Sequence, residues 1–134
     1  MPRRATEPRW LNRLVIDSIH HDQLKEHGGH PGVRDENGLE AALARPRNKW
    51  VYGEERDLAV LAAAYGFGLV NGHPFSDGNK RVGFLAMVTF LGINGYDFVS
   101  PDAEVVTEIL SLAAGKRTEE ELAEWARRRV VKRR

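Results

Sequence analysis

Residues 71–81 read Asn-Gly-His-Pro-Phe-Ser-Asp-Gly-Asn-Lys-Arg, a polar run with apolar sequence on both sides. Ahead of it, Asp57 to Val70 carries Leu58, Leu61, Ala62, Tyr65 and Leu69 at helical spacing. Behind it, Val82 to Leu91 is apolar on most faces. The pattern predicts two buried helices joined by a rigidly held loop. Ala62, Ala63, Ala64, Gly66 and Gly68 keep the first helix thin. A glycine costs about 1 kcal/mol in a helix interior relative to alanine, so close approach of a neighbouring helix is the expected compensation. Strand signals are few elsewhere, and the fold class that follows is all-α.

The loop itself is dense in chemistry. A helix starting between Gly78 and Lys80 presents unpaired amides and roughly half a positive charge at its first turn. Lys80 and Arg81 add two full cations where the helix dipole favours acids, a local conflict that a bound polyphosphate would relieve. Asp77 offers hard carboxylate oxygens suited to magnesium, and His73 offers an imidazole, a group that titrates near pH 6.5 (roughly) when unperturbed and can accept a hydroxyl proton.

The run from His73 to Arg81 resembles the core motif of the Fic/Doc family, His-x-Phe-x-(Asp/Glu)-(Ala/Gly)-Asn-(Gly/Lys)-Arg, with every defined position filled. The resemblance implies a compact Fic/Doc-type helical bundle with a short β-like flap. It implies His73 as catalytic base, Phe75 as the loop's anchor in the core and Asp77 as the magnesium ligand. Gly78, Asn79, Lys80 and Arg81 would hold the nucleotide phosphates. Family members that transfer AMP generally have Gly at the position of Lys80 and a second Arg three residues after the first. This chain has Phe84 there. With Lys80 and no second arginine, it is similar to the death-on-curing branch, whose best-known member moves the γ-phosphate of ATP to a threonine of elongation factor Tu and arrests translation. A softer match, Gly32, Asp35, Leu39, Glu40 and Ala42, precedes the loop.

Composition bounds the rest. The chain has 134 residues, 42% hydrophobic and 29% charged, which suits one soluble domain spanning 1–134 with a single core. It contains no cysteine, so disulfides and thiolate metal sites are excluded. The net charge of +1 gives no overall nucleic-acid signature. No apolar run reaches the roughly 20 residues that span a bilayer, and Met1 to Arg9 lacks the apolar core of a signal peptide, so a cytoplasmic protein is expected.

Along the chain, Pro2 and Pro8 mark residues 1–9 as an extended arm. Trp10 to Gly28 reads as a helix with Leu11, Leu14, Val15, Ser18 and Ile19 on its stripe. His20, His21, His27 and His30 crowd its end, as solvated groups or partners of end carbonyls rather than a zinc site. His30–Asp35 is turn-like, and Asp35-Glu36-Asn37-Gly38 opens a short helix through Leu39 to Ala44 that Pro46 ends. Arg45 to Gly53 shows no helical stripe and combines cations with Trp50, Val51 and Tyr52. By the family resemblance, Lys49, Trp50, Val51 and Tyr52 form the flap that docks the target as an added strand. A packed loop and a base-stacking patch are the other readings of the same residues.

Asn94-Gly95 breaks the helix after the loop, and Tyr96 to Val99 is a short extended link. A further helix starts at Pro101-Asp102 and stops at Gly115, and Thr118 with Glu121 forms a capping box for the last one. Residues 127–134 read as a basic, solvated tail. Self-inhibited family members carry (Ser/Thr)-x-x-x-Glu-(Gly/Asn); Ser100 to Glu104 comes closest but continues to Val105.

The leading expectation is therefore a toxin that phosphorylates a hydroxyl on an elongation factor Tu-like translation factor, using ATP and magnesium, and is neutralised by an antitoxin in trans. Transfer of AMP, or a non-catalytic phosphate- or partner-binding role, are the alternatives. Nucleic acid and membrane are not expected partners.

Overall fold

The computed structural model describes residues 6–134. In chain order these form α1 (Arg13–His27), α2 (Glu36–Val51), α3 (Leu58–Gly72), α4 (Asn79–Ile93), β1 (Tyr96–Phe98), α5 (Asp102–Ala113), α6 (Glu119–Arg129) and β2 (Val130–Lys132). The all-α expectation holds, with one short antiparallel ribbon that pairs Tyr96 with Lys132 and Phe98 with Val130. Most of the expected arm, residues 1–5, lies outside the described part of the chain.

α3 is the axle of the bundle. Leu61, Ala62, Tyr65 and Leu69, read from the sequence as its stripe, are fully buried, and so are Ala63, Ala64 and Val70 on its other faces. α2, α4 and α6 pack around it. Its glycines set the approach distances. A Cβ on Gly68 would lie 3.2 Å from the Cα of Ala42 in α2, and one on Gly83 of α4 would lie 2.5 Å from Cγ2 of Val70. The expected trade of helix propensity for close packing is therefore made at Gly68 towards α2 and at Gly66, where a Cβ would meet the Met87 side chain of α4, and Gly83 makes the same trade from the α4 side.

Three local expectations change. α2 does not stop at Pro46 but continues to Val51 with Pro46 inside it. Leu39, Ala42 and Pro46 are buried, and Leu43 and Trp50 pack partly on the core, at positions i, i+3, i+4, i+7 and i+11. This stripe against α3 offsets the hydrogen bond that proline cannot donate. Nor is the C-terminal run a solvated tail. Val130 to Lys132 is a strand, Arg127 pairs with Asp57, Arg129 with Glu104 and Arg133 with Asp97, so the basic residues pin the chain end back onto the bundle. On α1, Leu14 is 73% exposed, and the buried face is Ile16 and His20. The capping box at Thr118 forms as expected: its hydroxyl accepts from the Glu121 amide at 3.0 Å and the Glu121 carboxylate accepts from the Thr118 amide at 2.9 Å.

A candidate anion and phosphate site at the end of α3

The loop between α3 and α4 begins with a strained residue. His73 caps α3 in the left-handed region, φ 47° and ψ 50°, a conformation few side chains other than glycine and asparagine adopt. Such strain persists where surrounding contacts over-determine the backbone. Here Arg34 supplies them: its Nε donates to the His73 carbonyl at 3.1 Å and its Nη2 donates to the same oxygen. A cation at this point also complements the negative end of α3. The next carbonyl, Pro74, accepts from the amides of Arg34 at 2.8 Å and Asp35 at 3.0 Å, and the Ser76 amide donates to Gly32 at 3.1 Å. Val33 and Phe75 thereby form an isolated antiparallel bridge.

Phe75, to which the family resemblance gave the role of anchor, is 1% exposed. Asn79 locks it: its Oδ1 accepts from the Phe75 amide at 2.9 Å and its Nδ2 donates to the Phe75 carbonyl at 3.0 Å. Both ends of the Asn79 amide are thus spent on the loop. Its side chain holds the backbone in shape, while its own position at the first turn of α4 leaves only backbone facing outward. Gly78 is the N-cap of α4, with φ 81° and no side chain bonded to the helix amides.

Asp77 is exposed, yet ordered by two amides. Its Oδ2 accepts from His30 at 3.3 Å and its Oδ1 from Gly78 at 3.0 Å. These two bonds, helped by the charge of Arg81, hold its carboxyl below the ordinary carboxylate range, so it is ionised at neutral pH. Each oxygen keeps a lone pair, and Gly29 has no Cβ to crowd the carboxylate. Among the described residues no three metal-ligating side chains gather, the four histidines beside α1 included. A single ionised carboxylate fits a magnesium ion that draws its remaining ligands from phosphate and water, and does not fit zinc.

Asp77, Gly78, Asn79, Lys80 and Arg81 line one end of an open cleft of about 450 Å³, and Phe84, Val105, Val106, Ile109 and Leu110 line its apolar wall. Lys80 and Arg81 are exposed, and neither joins an ion pair among the described residues. His73 stands at the opposite end of the loop, outside the cleft lining. The structure therefore brings together Gly78, Asn79, Lys80, Arg81 and Asp77, with His73 and Phe75 on the same loop.

It does not bring the expected flap there. Lys49, Trp50 and Val51 are the last turn of α2 and Tyr52 is its C-cap, not a strand. The start of α2 carries Asp35, beside the loop, so its far end lies some 24 Å away at about 1.5 Å per residue over 16 residues. Trp50 packs edge-on to Trp10 and shares a pocket with Asn94 and Tyr96, past the far end of α4. The segment that runs beside the loop is residues 28–35. Gly28, Gly29 and Gly32, all with positive φ, were its signal in the sequence, since glycine takes that backbone region at no steric cost. Also unforeseen was His20, buried under the loop, and Arg34, on the His73 carbonyl.

A helical bundle that displays a histidine, an ordered carboxylate and two cations around a helix N-terminus with no side-chain cap has the chemistry suited to a phosphate ligand. A model of the Fic/DOC family matches residues 10–91. The chain is 31% identical over 121 residues to the protein kinase doc of Escherichia phage P1, covering 90% of this chain and 94% of that one. It is also 46% identical over 70 residues to toxin Doc of Mycolicibacterium smegmatis, 51% of this chain and 53% of the relative. The chain belongs to the Fic/Doc family, in its Doc-like branch of toxin transferases.

Proposed function

We propose that this protein is a cytoplasmic Doc-like toxin that transfers the γ-phosphate of ATP to a Ser or Thr hydroxyl of a translation factor resembling elongation factor Tu. The observation that carries the reading is the pair Lys80 and Phe84. Lys80 is an exposed cation on the first turn of α4, where AMP transfer would call for the room a glycine leaves. Phe84 packs edge-on to Phe98 with centroids 5.4 Å apart and forms apolar wall where a second phosphate-holding arginine would have to stand. The kinase name of the phage P1 relative supports the same choice.

In this reading His73 takes the proton of the target hydroxyl as its oxygen bonds to the γ-phosphorus, the bond from that phosphorus to the β–γ bridging oxygen breaks, and ADP leaves. Lys80, Arg81 and the amide at Asn79 hold the phosphate charge, while the Gly78 amide orients Asp77, which would hold magnesium and so bring charge neutralisation to the phosphate oxygens. An inhibitor in trans is part of the proposal. Glu104, the acid of the near-match to a self-inhibiting motif, accepts from Ser100 and from the Trp125 indole and pairs with Arg129, so its carboxylate is engaged by partners other than Arg81.

Incubating the protein with a bacterial extract and ATP labelled at the α- or the γ-phosphate tests this. Label from the γ position on one protein band, lost in His73→Ala, is the expected result; label from the α position refutes phosphate transfer.

A further inference from the structure

Side chains outside the motif also reach the loop, and one of them is buried. His20 on α1 is 6% exposed, one of few polar groups inside the protein. Its ring touches three points of the loop. It lies nearly parallel on Phe75, centroids 3.9 Å apart and planes 20° apart. Its Nε2 sits 2.9 Å from the Asp77 carbonyl. A carbonyl oxygen only accepts, so Nε2 carries the hydrogen. A Cβ on Gly78 would lie 3.7 Å from its Cδ2, so the ring also floors the residue that starts α4.

These contacts have a common consequence. Asp77 is oriented through its carboxylate by the His30 and Gly78 amides and through its carbonyl by His20. Without the imidazole donor, the Asp77 carbonyl loses the hydrogen bond that holds the peptide against rotation. That rotation would move the Gly78 amide and the carboxylate it bonds, the two parts that face the cleft. An apolar side chain would fill the same space against Phe75 but could not prevent it. A histidine at this point is costlier to bury than leucine or phenylalanine, so the hydrogen bond is the reason for its presence.

We propose that His20 is a positioning residue: acting through the Asp77 peptide, it fixes the carboxylate and the first turn of α4 in the geometry that takes up magnesium-bound nucleotide. The proposal rests on the function proposed above for its kinetic readout, and on local backbone order for a second one. Groups that orient metal ligands from behind typically change metal affinity or activity by about 10- to 100-fold when removed.

Two variants separate the hydrogen bond from the packing. His20→Phe keeps a ring on Phe75 and removes the donor; His20→Gln removes the ring and keeps an N–H in reach. Each is measured for KM for magnesium-ATP, for kcat, and for amide hydrogen exchange across residues 73–81. His20→Phe is expected to raise KM on the order of tenfold or more, leave kcat within about threefold, and speed exchange in the loop. His20→Gln is expected to stay within about threefold of the parent in all three. If His20→Phe does not fold, His20→Leu replaces it as the variant without a donor. Equal behaviour of the two variants, or a fall in kcat with KM and loop exchange unchanged, overturns the proposal. Should the parent itself turn over no ATP, the kinase reading fails and loop exchange alone decides the role of His20.

Discussion

Replacing Asn79 with alanine separates a residue that shapes the loop from one that holds phosphate. The two amide bonds of Asn79 satisfy the backbone N–H and C=O of Phe75, and Phe75 is 1% exposed. Asn79→Ala leaves both groups without a partner in a site that water reaches poorly. Each unsatisfied buried group costs about 1–3 kcal/mol, so the pair is worth roughly 2–6 kcal/mol. Alanine recovers at most about 0.7 kcal/mol through its higher helix propensity. Against a total stability of about 5–15 kcal/mol this is a large loss. Equilibrium urea unfolding without nucleotide, followed by tryptophan fluorescence, measures it directly. The nucleotide must be absent, because a side chain that acts only on phosphate then contributes nothing. A loss below about 1 kcal/mol would refute the assignment of Asn79 to the loop's architecture and return it to the phosphate.

Four further outcomes follow from the same contacts. Gly83→Ala, whose Cβ would meet Val70 Cγ2 at 2.5 Å, is expected to cost about 1–3 kcal/mol in the same unfolding experiment. Arg34→Ala, which frees the strained carbonyl of His73, should lower kcat for phosphate transfer by about tenfold or more while KM for magnesium-ATP stays near the parent value. Tyr52→Ala, on a side chain 83% exposed and remote from the loop, should leave transfer to the target unchanged in the same assay. Glu104 is held at about 2, against an ordinary 4.5, chiefly by Arg129 and then by Ser100 and Trp125. Because its value is lower in the folded state, the stabilisation is complete above pH 4.5 and is lost as pH falls towards 2. Glu104→Gln should therefore flatten stability against pH in that window, as read from unfolding midpoints.

The sequence made the α3–loop–α4 unit legible because its two signals agree: apolar periodicity on both sides and a polar run that core packing would never ask for. Thr118 and Glu121 were equally plain, since a capping box is a local device. What it hid was of two kinds. Pro46 is a strong local stop signal, yet α2 continues because Trp50 extends a stripe begun at Leu39, and burial against α3 outweighs one missing hydrogen bond. With that helix intact, Lys49 to Tyr52 travel to the far end of the bundle, and the stretch that accompanies the loop is the glycine-rich one at residues 28–35. The other kind is tertiary pairing. Arg127, Arg129 and Arg133 look like a solvated run until Asp57, Glu104 and Asp97 are placed opposite them. His20 likewise reads as one of four crowded histidines. Only its burial under Phe75 and its bond to the Asp77 carbonyl set it apart.

The central claim concerns what leaves the nucleotide and where it goes. Purified elongation factor Tu, incubated with this protein and magnesium-ATP and then weighed intact by mass spectrometry, addresses both. The account predicts a mass gain of one phosphate, absent with His73→Ala. A gain of one AMP, or an unchanged mass under conditions where the protein consumes ATP, would contradict it.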